Sequence, residues 1–128
     1  MPQRLPTTLQ CVVLWTAEKM DKTQVLKGIL DTAVLAALAP APTYGYDLVR
    51  NLREAGLTDV AEASVYGTLR RLYSAGLLTS EIVESDEGPP RKYYGLNDRG
   101  RVELQASANT WREIVEAVNG IIRKGVPS

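Results

Sequence analysis

The stretch EGPPRKYYGLNDRG, from Glu87 to Gly100, decides the fold of this chain. Turn-forming residues come first, and Arg91 then opens a short segment in which two cations are followed by two tyrosines. Asn97 stands where a helix N-cap is expected, because an asparagine side chain accepts a hydrogen bond from a free backbone amide. The stretch therefore predicts the second strand of a β-hairpin that continues directly into a helix.

Three helical segments are expected before this hairpin, because apolar residues recur there at helical spacing. The predicted elements are helices over Thr23–Ala39, Tyr44–Ala55 and Glu62–Ala75, and strands over Leu77–Glu84 and Arg91–Leu96. Thr43 is predicted to cap the second helix, and Gly56 to end it in a left-handed conformation. Three helices and a hairpin with cations beside its tip predict a mainly α fold, the winged helix-turn-helix, and make DNA the first partner to consider.

The last helix is expected to run from Asp98 to about Lys124, roughly 40 Å, which is longer than a domain of this size needs. Its apolar residues repeat at alternating steps of four and three: Leu104, Ala108, Trp111, Val115, Val118 and Ile122. A seam of this kind needs a partner, and a second copy related by a two-fold axis is the simplest one. The alternative is that part of the seam folds back on the first helix of its own chain.

The balance of charge restricts the kind of nucleic-acid binding. The chain has 128 residues, with 15 basic and 15 acidic side chains and a net charge of zero. Phosphate neutralisation provides most of the affinity of nonspecific binders, so zero charge argues against a protein that coats nucleic acid. It is compatible with a site-specific protein that gathers a few cations on one face.

The chain contains no histidine and one cysteine, which excludes an internal disulfide and leaves no plausible zinc or copper site. The commonest general base is also missing, so we expect neither an enzyme nor a cofactor. No apolar run is long enough to span a bilayer, and no signal peptide is evident, so a cytoplasmic location is expected.

Three regions are expected along the chain. Residues 1–22 are an N-terminal tail or an extra helix that packs on a partner subunit through Trp15; residues 23–97 form the winged helix-turn-helix domain; and residues 98–128 form the dimerisation helix. The tail without function is the favoured reading, because terminal segments are usually poorly ordered unless they dock.

The candidate DNA-binding residues lie on the third helix and in the hairpin. The third helix offers Ser64, Tyr66, Thr68, Arg70 and Arg71, and the second strand offers Arg91 and Lys92. Hydroxyls can hold phosphates or base edges, and arginine can read guanine. The alternatives are a solvated helix face and an ordinary charged hairpin, because the hairpin also carries four acidic residues, Glu81, Glu84, Asp86 and Glu87.

Trp111 has two interpretations. A tryptophan on the seam of a dimeric helix usually packs in the interface. Two such indoles related by symmetry can instead stack a flat aromatic molecule between them.

The chain resembles the short-form PadR family of transcriptional regulators over about Thr23 to Lys124. The resemblance depends on KTQVLKGILDTAVLAAL, YGYDLVRNL, SVYGTLRRLYSAGLL and EGPPRKYYGLNDRG. It implies a winged helix-turn-helix dimer that usually acts as a repressor, with its interface on the long last helix. This chain departs from the family at one position: the family often has proline after the recognition-helix tyrosine, whereas this chain has Gly67.

Individual roles also follow from the resemblance. Tyr44 matches a tyrosine that touches the DNA backbone. Ser64, Tyr66 and Thr68 match the start of the recognition helix, and Arg91 and Lys92 match the wing. Trp111 matches the interface tryptophan that stacks planar aromatic ligands in multidrug-sensing members.

The expected function is therefore that of a homodimeric repressor on a pseudo-palindromic operator in double-stranded DNA, released by a small aromatic or lipophilic effector. The alternative is a winged helix that docks another protein without reading DNA, which the zero net charge mildly favours.

Overall fold

The computed structural model describes residues 25–26 and 28–127. Apart from helical residues 25 and 26, this part of the chain forms four helices and a three-stranded antiparallel sheet. The helices are α1 (Leu30–Leu38), α2 (Gly45–Glu54), α3 (Glu62–Ser74) and α4 (Asp98–Gly125), and the strands are β1 (Thr43–Tyr44), β2 (Leu78–Val83) and β3 (Arg91–Leu96). The winged helix-turn-helix expected from the sequence is confirmed, with α2 and α3 as the helix pair and β2–β3 as the wing.

The first helix is shorter than the periodicity predicts. Gly28 donates a backbone hydrogen bond to Val25 at 3.1 Å, and Ile29 to Leu26 at 3.0 Å, so a turn comes before α1. Glycine is a poor helix former, which accounts for the interruption. The predicted start at Thr23 and the predicted tail over residues 1–22 lie outside the described residues.

The entry into α2 also differs from the prediction. Thr43 does not cap the helix: its hydroxyl donates to the carbonyl of Ala41 at 3.0 Å, and the N-cap position belongs to Tyr44. The cause is β1, a two-residue strand in which Thr43 pairs with Tyr94. The predicted left-handed end of α2 is confirmed, because Gly56 has a φ of 123°.

The core lies where α1 is enclosed by the other helices and the sheet. Its largest fully buried side chains are Leu35, Leu38, Leu48, Leu69, Val34 and Val65. They come from α1, α2 and α3, so the recognition-helix candidate α3 is packed directly on α1. Interiors of this kind are close-packed, so one face of α3 is buried against α1 and the opposite face points outward.

The wing and the last helix meet at Asn97. Its Oδ1 accepts a hydrogen bond from the amide of Gly100 at 2.8 Å, which confirms the predicted cap. Its Nδ2 donates to the carbonyl of Gly76 at 2.9 Å, just after α3. One side chain therefore ties the start of α4 to the end of α3. α4 itself has 28 residues, but no helix among the described residues is both long and apolar enough to cross a membrane.

Candidate nucleic-acid interface

The inner face of α3 is wider than its apolar stripe, which the helical spacing of Val65, Leu69 and Leu72 predicts. These three side chains are buried, but Thr68 is also buried, with 2% of its surface exposed. The Thr68 hydroxyl accepts a hydrogen bond from Arg71 Nη2 at 3.4 Å. Thr68 was expected on the polar side of the helix. In the structure it faces the protein, so it offers no free surface to a base or a phosphate.

The outer part of α3 carries fewer polar groups than the sequence suggests. Ser64 and Arg70 are exposed, and Tyr66 is half-buried. The Tyr66 ring lies against the backbone of Gly45 at the start of α2: a methyl group at Gly45 would stand 2.8 Å from Tyr66 Cε1. Glycine is therefore required at position 45 for this approach. Burial, followed by the nearby Tyr44 and Glu62, raises the pKa of Tyr66, so its hydroxyl stays neutral at physiological pH.

Three tyrosines and an arginine join the start of α2 to the wing. The Tyr44 ring centroid lies 6.3 Å from that of Tyr46 and 6.0 Å from that of Tyr93. The Arg91 guanidinium carbon lies 5.1 Å from the centroid of the same Tyr44 ring. We call Tyr44, Tyr46, Tyr93 and Arg91 the tyrosine cluster. It brings two predicted site residues, Tyr44 and Arg91, into contact although they are 47 positions apart in the sequence.

The cluster exists because β1 pairs with β3. Tyr44 is opposite Tyr93 in this ladder, and opposed side chains lie on the same face of a sheet. Tyr46 and Tyr93 were not among the predicted site residues. The available signal was the number of tyrosines in and around YGYDLV and RKYY, but their contact depends on a two-residue strand that is too short to detect from periodicity.

Lys92 has an aromatic neighbour of its own, because its Nζ lies 5.6 Å from the centroid of the Tyr94 ring. Within the described part of the chain, neither Arg91 nor Lys92 forms an ion pair. The acidic side chains of the hairpin, Glu81, Glu84, Asp86 and Glu87, are exposed. The two cations are thus oriented by tyrosine rings and are not neutralised by the carboxylates around them.

The arginines of the helix pair divide into paired and unpaired groups. Arg71 forms an ion pair with Asp31 of α1 at 2.8 Å, and Arg50 forms one with Asp47 at 3.2 Å. Arg53 donates from Nε and Nη2 to the carbonyl of Val60, at 3.2 and 3.0 Å, and so holds the turn between α2 and α3.

Arg70 forms no ion pair in residues 25–26 and 28–127. Of the two neighbouring arginines in the predicted site, only Arg70 is therefore unpaired, because Arg71 is already bound to Asp31. The described residues also contain no group of three or more histidine, cysteine, aspartate or glutamate side chains that could hold a metal ion.

The side chains of the predicted seam of α4 are more exposed in the second half of the helix than at its start. Leu104 is half-buried against the core, whereas Trp111, Val118 and Ile122 are 40%, 45% and 49% exposed. Ala108 and Val115 have intermediate exposure. Ile114 and Ile121 widen the exposed apolar surface. The beginning of the seam packs on its own chain, which agrees with the predicted alternative, and the rest of it is partly or largely exposed.

An open groove of about 250 Å³ lies between the turn before α1 and the middle of α4. Its walls include Gly28, Ile29 and Thr32 on one side and Trp111 and Ile114 on the other. Pockets that enclose a drug-sized ligand usually measure about 300–1,000 Å³, so this groove is small in a single chain.

Comparison with known proteins agrees with this architecture. The sequence model of the Transcriptional regulator PadR-like family matches residues 34–106. A curated but uncharacterized protein from Lysinibacillus sphaericus is 24% identical over 102 residues, which cover 78% of this chain and 94% of that protein.

Solved structures resemble most of the chain. A PadR-like transcriptional regulator from Bacillus cereus is 33% identical with a TM-score of 0.70, and the match covers 77% of this chain and 96% of that one. A PadR-like transcription factor from Bacteroides fragilis is 41% identical with a TM-score of 0.65, over 78% and 96% of the two chains. A PadR family regulator from Eggerthella lenta is 29% identical with a TM-score of 0.70, over 94% and 96%.

Proposed function

Because this chain belongs to the PadR-like family of transcriptional regulators, we propose that it is a homodimeric repressor that binds a pseudo-palindromic DNA site. Binding to DNA is the property of the family. The proposal adds the symmetry of the complex, the residues that contact DNA and the sign of the regulation.

The contacts with DNA are assigned to two surfaces of each subunit. α3 enters the major groove, where Ser64, Tyr66 and Arg70 approach bases or phosphates. The observation that supports this most directly is that Arg70, Arg91 and Lys92 are exposed and form no ion pair within the described residues. Cations without a carboxylate partner are free to release counterions from DNA. Thr68 is left out of the contact set because it is buried.

The tyrosine cluster gives the wing a fixed position beside α2. Arg91 is held over Tyr44, so the cation and the tyrosine hydroxyl act on the DNA backbone as one unit. A cation that is already oriented loses less side-chain entropy on binding than a free one. The acidic residues of the turn remain exposed, and they favour contact by Arg91 and Lys92, at the start of β3, over contact by the turn itself.

The dimer is assigned to residues 98–128, with residues 23–97 as the DNA-binding domain. The exposed part of the seam, from Trp111 to Ile122, is apolar at heptad spacing and is supported as the contact between two copies of α4. With two-fold symmetry, the two copies of α3 would read half-sites about one helical turn apart, or roughly 34–36 Å.

The groove at Trp111 is the proposed effector site. Its small volume in one chain and its position beside the seam favour a pocket that is completed by the second subunit. A planar aromatic or lipophilic molecule suits an indole wall. Such a ligand would release DNA only by favouring one arrangement of the two subunits over the other.

Selection of genomic DNA fragments by the purified protein tests the proposal. The wild type is compared with Arg70→Ala/Lys92→Ala at moderate salt, after both have been shown to be folded dimers. Enrichment of one inverted repeat by the wild type alone supports a site-specific regulator. Reduced expression of a reporter placed behind that repeat supports a repressor over an activator. Absence of enrichment by a folded wild-type dimer contradicts the proposal.

The second candidate function is docking of another protein by the wing or by α3. The exposed apolar side chains Ile82 and Val83 of β2, which is an edge strand of the sheet, favour it. Strong loss of DNA affinity in Arg70→Ala/Lys92→Ala, with no effect from Ile82→Ser, would argue against this candidate.

A further inference from the structure

Arg71 and Asp31 form a contact that links the recognition helix to α1 across 40 positions of sequence. Arg71 Nη1 lies 2.8 Å from Asp31 Oδ2, and Arg71 Nη2 donates to the Thr68 hydroxyl at 3.4 Å. Both outer nitrogens of the guanidinium are thus used within the protein. Asp31 lies in the first turn of α1 and Arg71 in the last turn of α3.

The neighbouring arginine behaves differently. Successive residues of a helix point about 100° apart, so Arg70 and Arg71 face different sides of α3. Both side chains are exposed, but Arg70 has no carboxylate partner in the described part of the chain, whereas Arg71 is bound to Asp31 of α1 in a pair whose two side chains are 59% and 51% exposed. A pair of arginines that looks uniform in the sequence therefore has two different roles in the fold.

The remaining contacts between α3 and α1 are mainly apolar. Apolar burial is not directional, so it permits small rotations of one helix on the other. A charge-assisted hydrogen bond between an arginine and a carboxylate is directional and fixes such a rotation. The Asp31 contact is therefore well placed to set the angle at which α3 presents Ser64, Tyr66 and Arg70.

We propose that Asp31 is a positioning residue for DNA recognition, and that it acts by holding Arg71 as a brace of α3 and not as a DNA contact. The inference depends on the proposed DNA-binding function. It also connects two parts of that function, because α1 begins beside the groove at Trp111, where Ile29 and Thr32 are wall residues.

The test measures the affinity of full-length variants for the selected operator and for random duplex over a series of salt concentrations. Asp31→Ala is compared with Asp47→Ala, which removes an acidic residue from the first turn of α2 and breaks the other exposed ion pair. The brace predicts that Asp31→Ala binds the operator about ten-fold more weakly, from about three-fold in each of two subunits. Affinity for random duplex stays equal or rises, because a negative charge has been removed. Asp47→Ala shows no loss on either DNA.

The salt series distinguishes a brace from a phosphate contact. Loss of one phosphate contact reduces the slope of log K against log salt by about one for each contact. The brace predicts that Arg71→Gln weakens operator binding with an unchanged slope, whereas Arg70→Gln lowers the slope. It also predicts that Asp31→Arg/Arg71→Asp recovers part of the affinity lost in Asp31→Arg, although the exchanged charges oppose the helix dipoles.

Three results would overturn the inference and leave the proposed function intact. Equal or tighter operator binding by Asp31→Ala would mean that freeing Arg71 does not harm recognition. A reduced salt slope in Arg71→Gln would make Arg71 a phosphate contact. If Asp31→Arg/Arg71→Asp recovered no affinity although its circular dichroism spectrum matched the wild type, the pairing of these two residues would not be what positions α3. A wild type that selects no operator would instead overturn the proposed function together with this inference.

Discussion

The tyrosine cluster and the exposed half of α4 are two surfaces of the same small protein. They differ in how far their side chains find contacts within their own chain. In the cluster, Tyr44 contacts Tyr46, Tyr93 and Arg91, all within one chain. On α4, Val118 and Ile122 remain about half exposed. The side proposed to face DNA is therefore organised by its own chain, whereas the α4 seam leaves apolar side chains exposed. Substitutions in the two regions should separate assembly from recognition.

The largest effect is expected from charge on the seam. Val118→Asp/Ile122→Asp should raise the dissociation constant of the dimer by at least about 100-fold, because each buried valine or isoleucine contributes about 1.5–3 kcal/mol and two-fold symmetry repeats each contact. Sedimentation equilibrium measures this constant. Val102→Asp is the matched control, because Val102 is 71% exposed on the same helix but lies away from the seam. A double variant that remains a dimer would assign assembly to another surface.

The next effect concerns Gly100, where the start of α4 packs closely against Leu77. A methyl group at Gly100 would overlap the carbonyl oxygen of Leu77, so Gly100→Ala should lower the free energy of unfolding by about 1–3 kcal/mol. Gly120→Ala is the control in the same helix, because its nearest contact is Arg123 Nη2 at 3.8 Å. It should raise stability by about 1 kcal/mol through helix propensity. Urea denaturation measures both, and equal effects would contradict the close approach at Gly100.

A smaller effect is expected from the cluster itself. Tyr44→Leu removes the ring beneath Arg91 and should weaken operator binding by about three- to ten-fold, because an exposed cation–π contact contributes about 0.5–1 kcal/mol and aromatic pairing adds to it. Dimerisation should not change. Tyr73→Leu serves as the control, since Tyr73 is an exposed tyrosine of α3 outside the cluster. Equal losses in fluorescence anisotropy titrations of the two variants would mean that the cluster has no special role.

The smallest effect is a dependence on alkaline pH. The pKa of Tyr66 is raised by burial, so the folded protein holds this proton more tightly than the unfolded chain does. The resulting stability is fully present below the ordinary tyrosine pKa of 10.0 and is lost as the pH rises through the folded value. Tyr66→Phe cannot ionise, so its thermal midpoint should fall less than that of the wild type above about pH 10. If the thermal midpoints of the two proteins depended on pH in the same way, the raised pKa of Tyr66 would be contradicted.

Local patterns in the sequence were sufficient for much of the fold. β3 and its junction with α4 could be predicted because a turn, a strand and an asparagine cap follow one another without a gap. The helix end at Gly56 is equally local, and Gly76 ends α3 in the same way, with φ angles of 123° and 82° at the two glycines.

The parts that could not be predicted depend on contacts between distant residues. β1 is two residues long, so its pairing with β3 outweighed the capping preference of Thr43. Thr68 is buried because the packing of α3 covers more than the three-residue apolar stripe that spacing indicates. Arg71 differs from Arg70 because it forms an ion pair with Asp31 of α1, and no pattern within α3 could reveal that contact.

The site residues therefore divide by the range of their contacts. Arg91 and Lys92 could be proposed from their place beside a turn, but their tyrosine neighbours are visible only in the folded chain. The roles proposed for Trp111, Val118 and Ile122 require a second copy of α4 and are tested by measuring assembly.

In the proposed complex, recognition of DNA is organised in one chain but completed by two. Titration of the protein into a duplex that carries the full inverted repeat, and into one that carries a single half-site, tests this most directly. Two chains are expected to bind per full repeat, and the half-site is expected to bind far more weakly. Binding of one chain per duplex, with equal affinity for the half-site and the full repeat, would contradict it.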